Sequence, residues 1–94
     1  MALSERFEND KIEVVGQYKS VQVRKATIIE KDGVELTRSF HRHALNCGTI
    51  DDSDNFVATD ISGEDADVQA ICNASWTQSV KDAYKAHLIA NKPA

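Results

Sequence analysis

His41-Arg42-His43 is the densest grouping of chemically capable side chains in the sequence. On a β-strand, residues two apart share a face, so both imidazoles project together, a geometry that metal sites use. A closed zinc site needs four ligands, and Cys47, the next donor along, falls beyond the expected end of the strand. Two histidines on the outer face of a hairpin satisfy the same spacing without a metal, and no cofactor is expected. Asp51-Asp52-Ser53-Asp54-Asn55 matches the opening of a calcium loop. The glycine required at the sixth position and the glutamate at the twelfth are missing in either register, so an acidic surface loop is the expectation.

Arg24, Lys25, Arg38 and Arg42 lie with the two histidines along one stretch of chain, a pattern that can track phosphates. Glu13, Glu30 and Glu35 interrupt it, the sequence pI is about 5.2, and no aromatic stacking platform accompanies it. Nucleic acid is therefore not the expected partner. The sequence has no glycine-rich phosphate loop, no nucleophile motif and no paired acids at a catalytic spacing, so no enzyme is expected. Cys72 and Trp76, four apart, read as one face of a helix in the core. What remains is protein–protein contact, in which aromatics and arginine dominate the energetics. Arg38, His41, Arg42, His43, Phe56, Trp76 and Tyr84 are the candidate interaction residues, although the aromatics among them serve equally well as core.

The totals fit that reading. Ninety-four residues make a single domain, 1–94, and a core of modest stability, which favours a homo-oligomer. At 41% hydrophobic and 28% charged the chain is globular in composition, and no run of about 18 apolar residues offers a membrane span. The first ten residues lack the apolar segment of a signal peptide, and two cysteines make no disulfide framework, so free thiols in a reducing compartment are expected. Charge is uneven. Residues 1–45 hold eight Lys/Arg against seven Asp/Glu, and residues 46–94 hold three against eight.

These residues need elements to position them. Val21 to Glu30 and Val34 to His43 are rich in β-branched residues and flank Lys31-Asp32-Gly33, which predicts a long hairpin over about 20–45. Two registers compete. A two-residue Asp32-Gly33 loop, the favoured one, puts Val21, Val23, Ile29, Leu36, Phe40 and Ala44 on one face and sets Glu30 against Glu35. A bulge at Gly33 instead divides the apolar residues, with Ile28, Leu36 and Phe40 on one face and Val21, Val23 and Ile29 on the other. A short strand over 11–15 completes a three-stranded antiparallel meander, preceded by an N-terminal arm over 1–10. Residues 46–61 read as a long acidic loop, with a very short strand near Phe56. Two C-terminal helices follow at about 63–75, capped by Ser62, and 77–90, capped by Thr77. The expected class is α+β.

Lys11-Ile-Glu-Val-Val15, Val21-Gln-Val-Arg24 through Asp32-Gly33, Ser39-Phe-His-Arg-His43, Val68-Gln-Ala-Ile-Cys72 and Val80-Lys-Asp-Ala-Tyr84 together resemble a group of small virion-associated proteins of tailed bacteriophages, found in phages of marine bacteria and cyanobacteria. The resemblance covers roughly residues 10–88, and Ser39 to His43 is its most specific stretch. It implies an accessory structural protein of the virion, in the tail, the neck or on the capsid, with other phage structural proteins as partners. Its location would be the virion, and the host cytoplasm during assembly. The resemblance assigns a role to no individual residue. A small nucleic-acid-binding or regulatory factor and a chaperone for a tail or fibre protein are the alternative expectations.

Overall fold

Asp32 and Gly33 both carry positive φ, 53° and 82°. A two-residue type I′ turn demands that pair, and glycine meets it without a Cβ clash. The computed structural model, which describes residues 2–93, is built around the hairpin that this turn closes. Strand β1 (Leu3–Val15) is followed by β2 (Ser20–Lys31), which enters the turn, and β3 (Val34–Leu45), which leaves it. The three form an antiparallel sheet in the order β1-β2-β3, so β2 is central and β1 and β3 each leave an edge free. A small hairpin of β4 (Gly48–Ile50) and β5 (Phe56–Ala58) comes next, then helices α1 (Ala66–Ser75) and α2 (Gln78–Ala90). The fold is α+β, a meander followed by two helices.

The turn is the two-residue alternative, and Glu30 stands opposite Glu35. One step further the register shifts, with Ile29 paired to Thr37 and Leu36 left as the extra residue of a bulge. Every later side chain of β3 is thereby inverted. Phe40 lies opposite Ala26 and Ala44 opposite Gln22, on the other face from Val21, Val23 and Ile29. The expected grouping of Phe40 and Ala44 with those three residues is corrected by this one insertion. The inversion brings Arg38 onto the side of Glu35, where it donates to both carboxylate oxygens at 2.8 and 3.2 Å.

A second bulge, at Asp10, explains the missing arm. Asn9 pairs with Lys25 and Lys11 with Arg24, so Asp10 is the extra residue. Ile12 and Val14 occupy even positions and Leu3 and Phe7 odd ones, and the bulge brings all four onto one face. Residues 3–10 are therefore the start of a thirteen-residue strand and not an arm.

Two further boundaries differ from expectation. Residues 46–61 hold the β4–β5 hairpin, whose turn is closed by Asp51: its Oδ1 accepts from the backbone N–H of Ser53 and of Asn55, both at 2.9 Å. Helix α1 starts at Ala66 with Asp65 at the N-cap, where Ser62 was expected. The N–H of Ser62 is taken by the Asp60 carboxylate and that of Glu64 by the Ile61 carbonyl, which holds 61–64 in a turn. Thr77 caps α2 as expected, its hydroxyl accepting from the Val80 N–H at 3.3 Å.

Burial along β2 changes face midway. Val21 and Val23 are buried on the side covered by the helices, hereafter the helix face, packed with Cys47, Val68, Cys72 and Trp76. Trp76 also ties the end of α1 to the first turn, its indole N–H donating to the Lys19 carbonyl at 2.7 Å. Both thiols are free, and burial pushes each of them up. Further along β2, Ala26 and Ile28 are fully buried on the opposite, back face. The radius of gyration is 17.6 Å, against about 12 Å for a compact chain of this length. The sheet runs on beyond its helices.

If the far end of the sheet is a true core under the back face, Ile28→Ala should cost about 2–4 kcal/mol in urea unfolding. Leu36→Ala, 58% exposed on the same hairpin, should cost less than about 0.5 kcal/mol. Equal effects would show that Ile28 is not held by its surroundings.

Candidate functional site

Three surfaces meet the sheet, and each has a different chemistry. The first is a cleft of about 320 Å³ between the helix face and the start of α1, lined by Asn9, Lys25, His41, His43, Gly63, Glu64, Asp65 and Val68. Register places Asn9, Lys25 and His41 side by side across the three strands, with Ile12, Val23 and His43 in the next row. Its polar groups are largely paired with one another. His43 Nε2 lies 2.8 Å from Glu64 Oε1, Lys25 Nζ lies 3.0 Å from Asp65 Oδ2, and Asn9 Nδ2 donates to both Asp65 and Asp67 at 3.0 Å. The Asp65 carboxyl is held below its usual range, chiefly by the bond from Lys25 and then by that from Asn9. These contacts dock the first turn of α1 on the sheet, and they join the basic half of the sequence to the acidic half. Asn9 Oδ1 is left buried without a donor. Among the described residues no three His, Cys, Asp or Glu side chains gather as a metal-binding group.

The second surface is the back face, where arginine and carboxylate alternate across all three strands. Arg24 grips Asp10 with two bonds of 2.6 and 2.9 Å and lies over the Phe40 ring, 4.4 Å from its centroid. Arg38 reaches Glu35 at 2.8 Å and Glu8 at 3.1 Å, and Arg6 reaches Glu30 at 2.7 Å and Glu8 at 3.1 Å. Ala26 stands between Glu8 and Phe40, and Ile28 between Arg6 and Arg38. The side chains of this network flank Ile28, and the Phe40 ring together with Glu8 flanks Ala26. The bond from Arg24 holds the Asp10 carboxyl below its ordinary 3.8, and the bond from Arg38 holds Glu35 below its ordinary 4.5.

The third surface is the far end of the helix face, which no other described element covers. Rows across the sheet read Leu3-Lys31-Val34, Glu5-Ile29-Thr37 and Phe7-Thr27-Ser39. Leu3 and Val34 are 66% exposed and Phe7 is 59% exposed. Large apolar side chains grouped in this way mark contact surfaces, whereas scattered ones need no explanation.

The residues singled out in the sequence do not converge. His41 and His43 line the cleft, while Arg38 and Arg42 point from the back face. Arg38 is spent on carboxylates, and Arg42 is exposed with no carboxylate partner among the described residues. Trp76 is buried, and Phe56 and Tyr84 are half-buried against the same core. The Phe56 ring lies so close over Gly48 that a Cβ there would run into it. Tyr84 packs on Tyr18 with centroids 5.2 Å apart. The exposed apolar residues Leu3, Phe7 and Val34 leave no pattern in the sequence, because the alternation that would reveal them is broken at Asp10 and Leu36.

Lowered carboxylate values in the folded state mean that the unfolded chain binds protons more readily as pH falls. The network's contribution is complete above the ordinary carboxylate range and is lost as pH drops through the depressed values, below about pH 4. Asp10→Asn should therefore flatten the acid limb of the urea midpoint against pH. Parallel limbs for the two proteins would show that the network carries no acid sensitivity. Compared with protein families, with curated proteins and with solved structures, the chain matches none.

Proposed function

We propose that this chain is an accessory structural protein of a tailed-phage virion, acting by protein–protein assembly and not by catalysis. The observation that carries the assembly reading is the uncovered far end of the helix face, where Leu3, Phe7 and Val34 lie exposed on a ribbon with two free edges. The molecule measures 60 × 27 × 22 Å, and a ribbon of that length exposes apolar surface that a neighbour in an assembly would bury. The virion as the setting rests on the family resemblance of residues 10–88.

The paired charges support this reading over nucleic-acid binding. Phosphate tracking needs unneutralised cations along one surface. Arg24 and Arg38 are held by Asp10, Glu8 and Glu35, and Lys25 turns to the opposite face toward Asp65. No helix among the described residues is long and apolar enough to cross a membrane.

Sedimentation of the purified chain should show association that grows with concentration. Val34→Lys should weaken that association while changing monomer stability by less than about 0.5 kcal/mol, since the side chain is mostly exposed. A protein that stays monomeric at every concentration, and whose peptides are missing from purified particles by mass spectrometry, is not such a component.

A further inference from the structure

The β1 edge carries the geometry for one specific partner. The Asp32 N–H donates to the Ala2 carbonyl at 3.0 Å and the Ala2 N–H to the Asp32 carboxylate at 3.2 Å, so both backbone groups of Ala2 face residue 32. Lys31 and Val34 flank a two-residue loop, so the backbone groups of Lys31 face β3. Both facts set the same alternation along β1. The N–H and C=O groups of Leu3, Glu5 and Phe7 point away from β2, along the free edge. Their side chains share the helix face. This stretch is seven residues of regular strand before the Asp10 bulge.

Resting on the assembly reading, we propose that β1 pairs antiparallel with β1 of a second copy, about a two-fold axis at Phe7. An antiparallel pair keeps side chains on their proper faces only when opposed residue numbers sum to an even value. Centring on Leu3 or Ser4 carries Phe7 past the start of the partner strand, and centring on Asn9 runs the pairing into the Asp10 bulge. Centring on Glu5 opposes Glu5 to itself, centring on Arg6 opposes Arg6 to itself, and centring on Glu8 opposes Glu8 to itself. Like charges directly opposite are destabilising. Centring on Phe7 opposes ring to ring and sets Arg6 against Glu8 of the second copy, twice by symmetry. Phe7 forms the hydrogen-bonded pair, so Arg6 and Glu8 meet as non-hydrogen-bonded neighbours, where side chains approach closest. Arg6 and Glu8 already attract within one chain at 3.1 Å. The other edge does not self-pair in this way, because β3 carries Arg38 and Arg42 against the single carboxylate of Glu35.

The product is a six-stranded sheet with both helical ends on one face and the Phe7 rings of the two copies opposed at its centre. The dimer has a signature that other associations lack, since residue 7 faces itself across the axis. Phe7→Cys in the full chain should form an interchain disulfide on mild oxidation, because opposed Cα atoms about 5.5 Å apart lie within disulfide reach. Glu5→Cys should not, since its copies lie about four residues out of step, well beyond about 7 Å. Cys47 and Cys72 are buried and do not compete. As an independent arm, Arg6→Glu should weaken dimerisation roughly tenfold, because two attractive pairs become repulsive. Oligomers in light scattering without a Phe7→Cys disulfide, or equal cross-linking of both cysteine variants, would overturn this edge and register and leave the assembly reading intact. A chain monomeric at all concentrations would overturn both.

Discussion

The central strand has to be covered on both faces, and everything else in the molecule follows from how unevenly that is met. Val21 and Val23 are covered by helices on one face, and Ala26 and Ile28 by an ion network on the other. The change of face falls between Val23 and Ala26. A regular strand buried on one face keeps one parity throughout, so a sheet that changes its buried face must be tailored by its neighbours. Bulges at Asp10 in β1 and Leu36 in β3 supply that adjustment, one on each flanking strand. Of the four quarters of the sheet so defined, the far end of the helix face holds the most exposed large apolar side chains, Leu3, Phe7 and Val34.

Different covers suit the two ends. The helix-covered end has a core of Cys47, Val68, Cys72 and Trp76 and excludes water by packing. The back face flanks Ile28 with Arg6 and Arg38 and Ala26 with Glu8 and Phe40, while the charged heads of Arg6, Arg24 and Arg38 pair with carboxylates. Single exposed ion pairs stabilise by no more than about 1 kcal/mol, so the value of the network lies in holding the stems in place. It also keeps the back face polar, which leaves apolar attraction to the helix face and to the β1 edge.

Much of the architecture was legible in the residues. Asp32-Gly33 announced its turn through the φ requirement, Thr77 announced α2 through its hydroxyl, and the β-branched runs announced β2 and β3. The bulges were not legible, because each adds a residue whose only local trace is broken alternation, and broken alternation also reads as a chain end or a second register. Hence Leu3 to Asp10 reads as an arm, and unbroken alternation puts Phe40 with Val21. The cap of α1 went astray because Asp60 and Ile61 take the N–H groups of Ser62 and Glu64, a competition that spacing alone does not reveal. Candidate site residues chosen by type met the same obstacle. Type marked Arg38, His41, Arg42 and His43 as one cluster, and the pleat divided them between two faces.

What results is a folded ribbon whose last third exposes backbone and apolar side chains at the same edge. Amide hydrogen exchange along β1 reads that combination residue by residue. The outward N–H groups of Glu5 and Phe7 should exchange freely in dilute solution and gain protection as protein concentration rises, while the inward ones of Ser4 and Arg6 stay protected throughout. Exchange at Glu5 and Phe7 that is independent of concentration would contradict pairing at this edge.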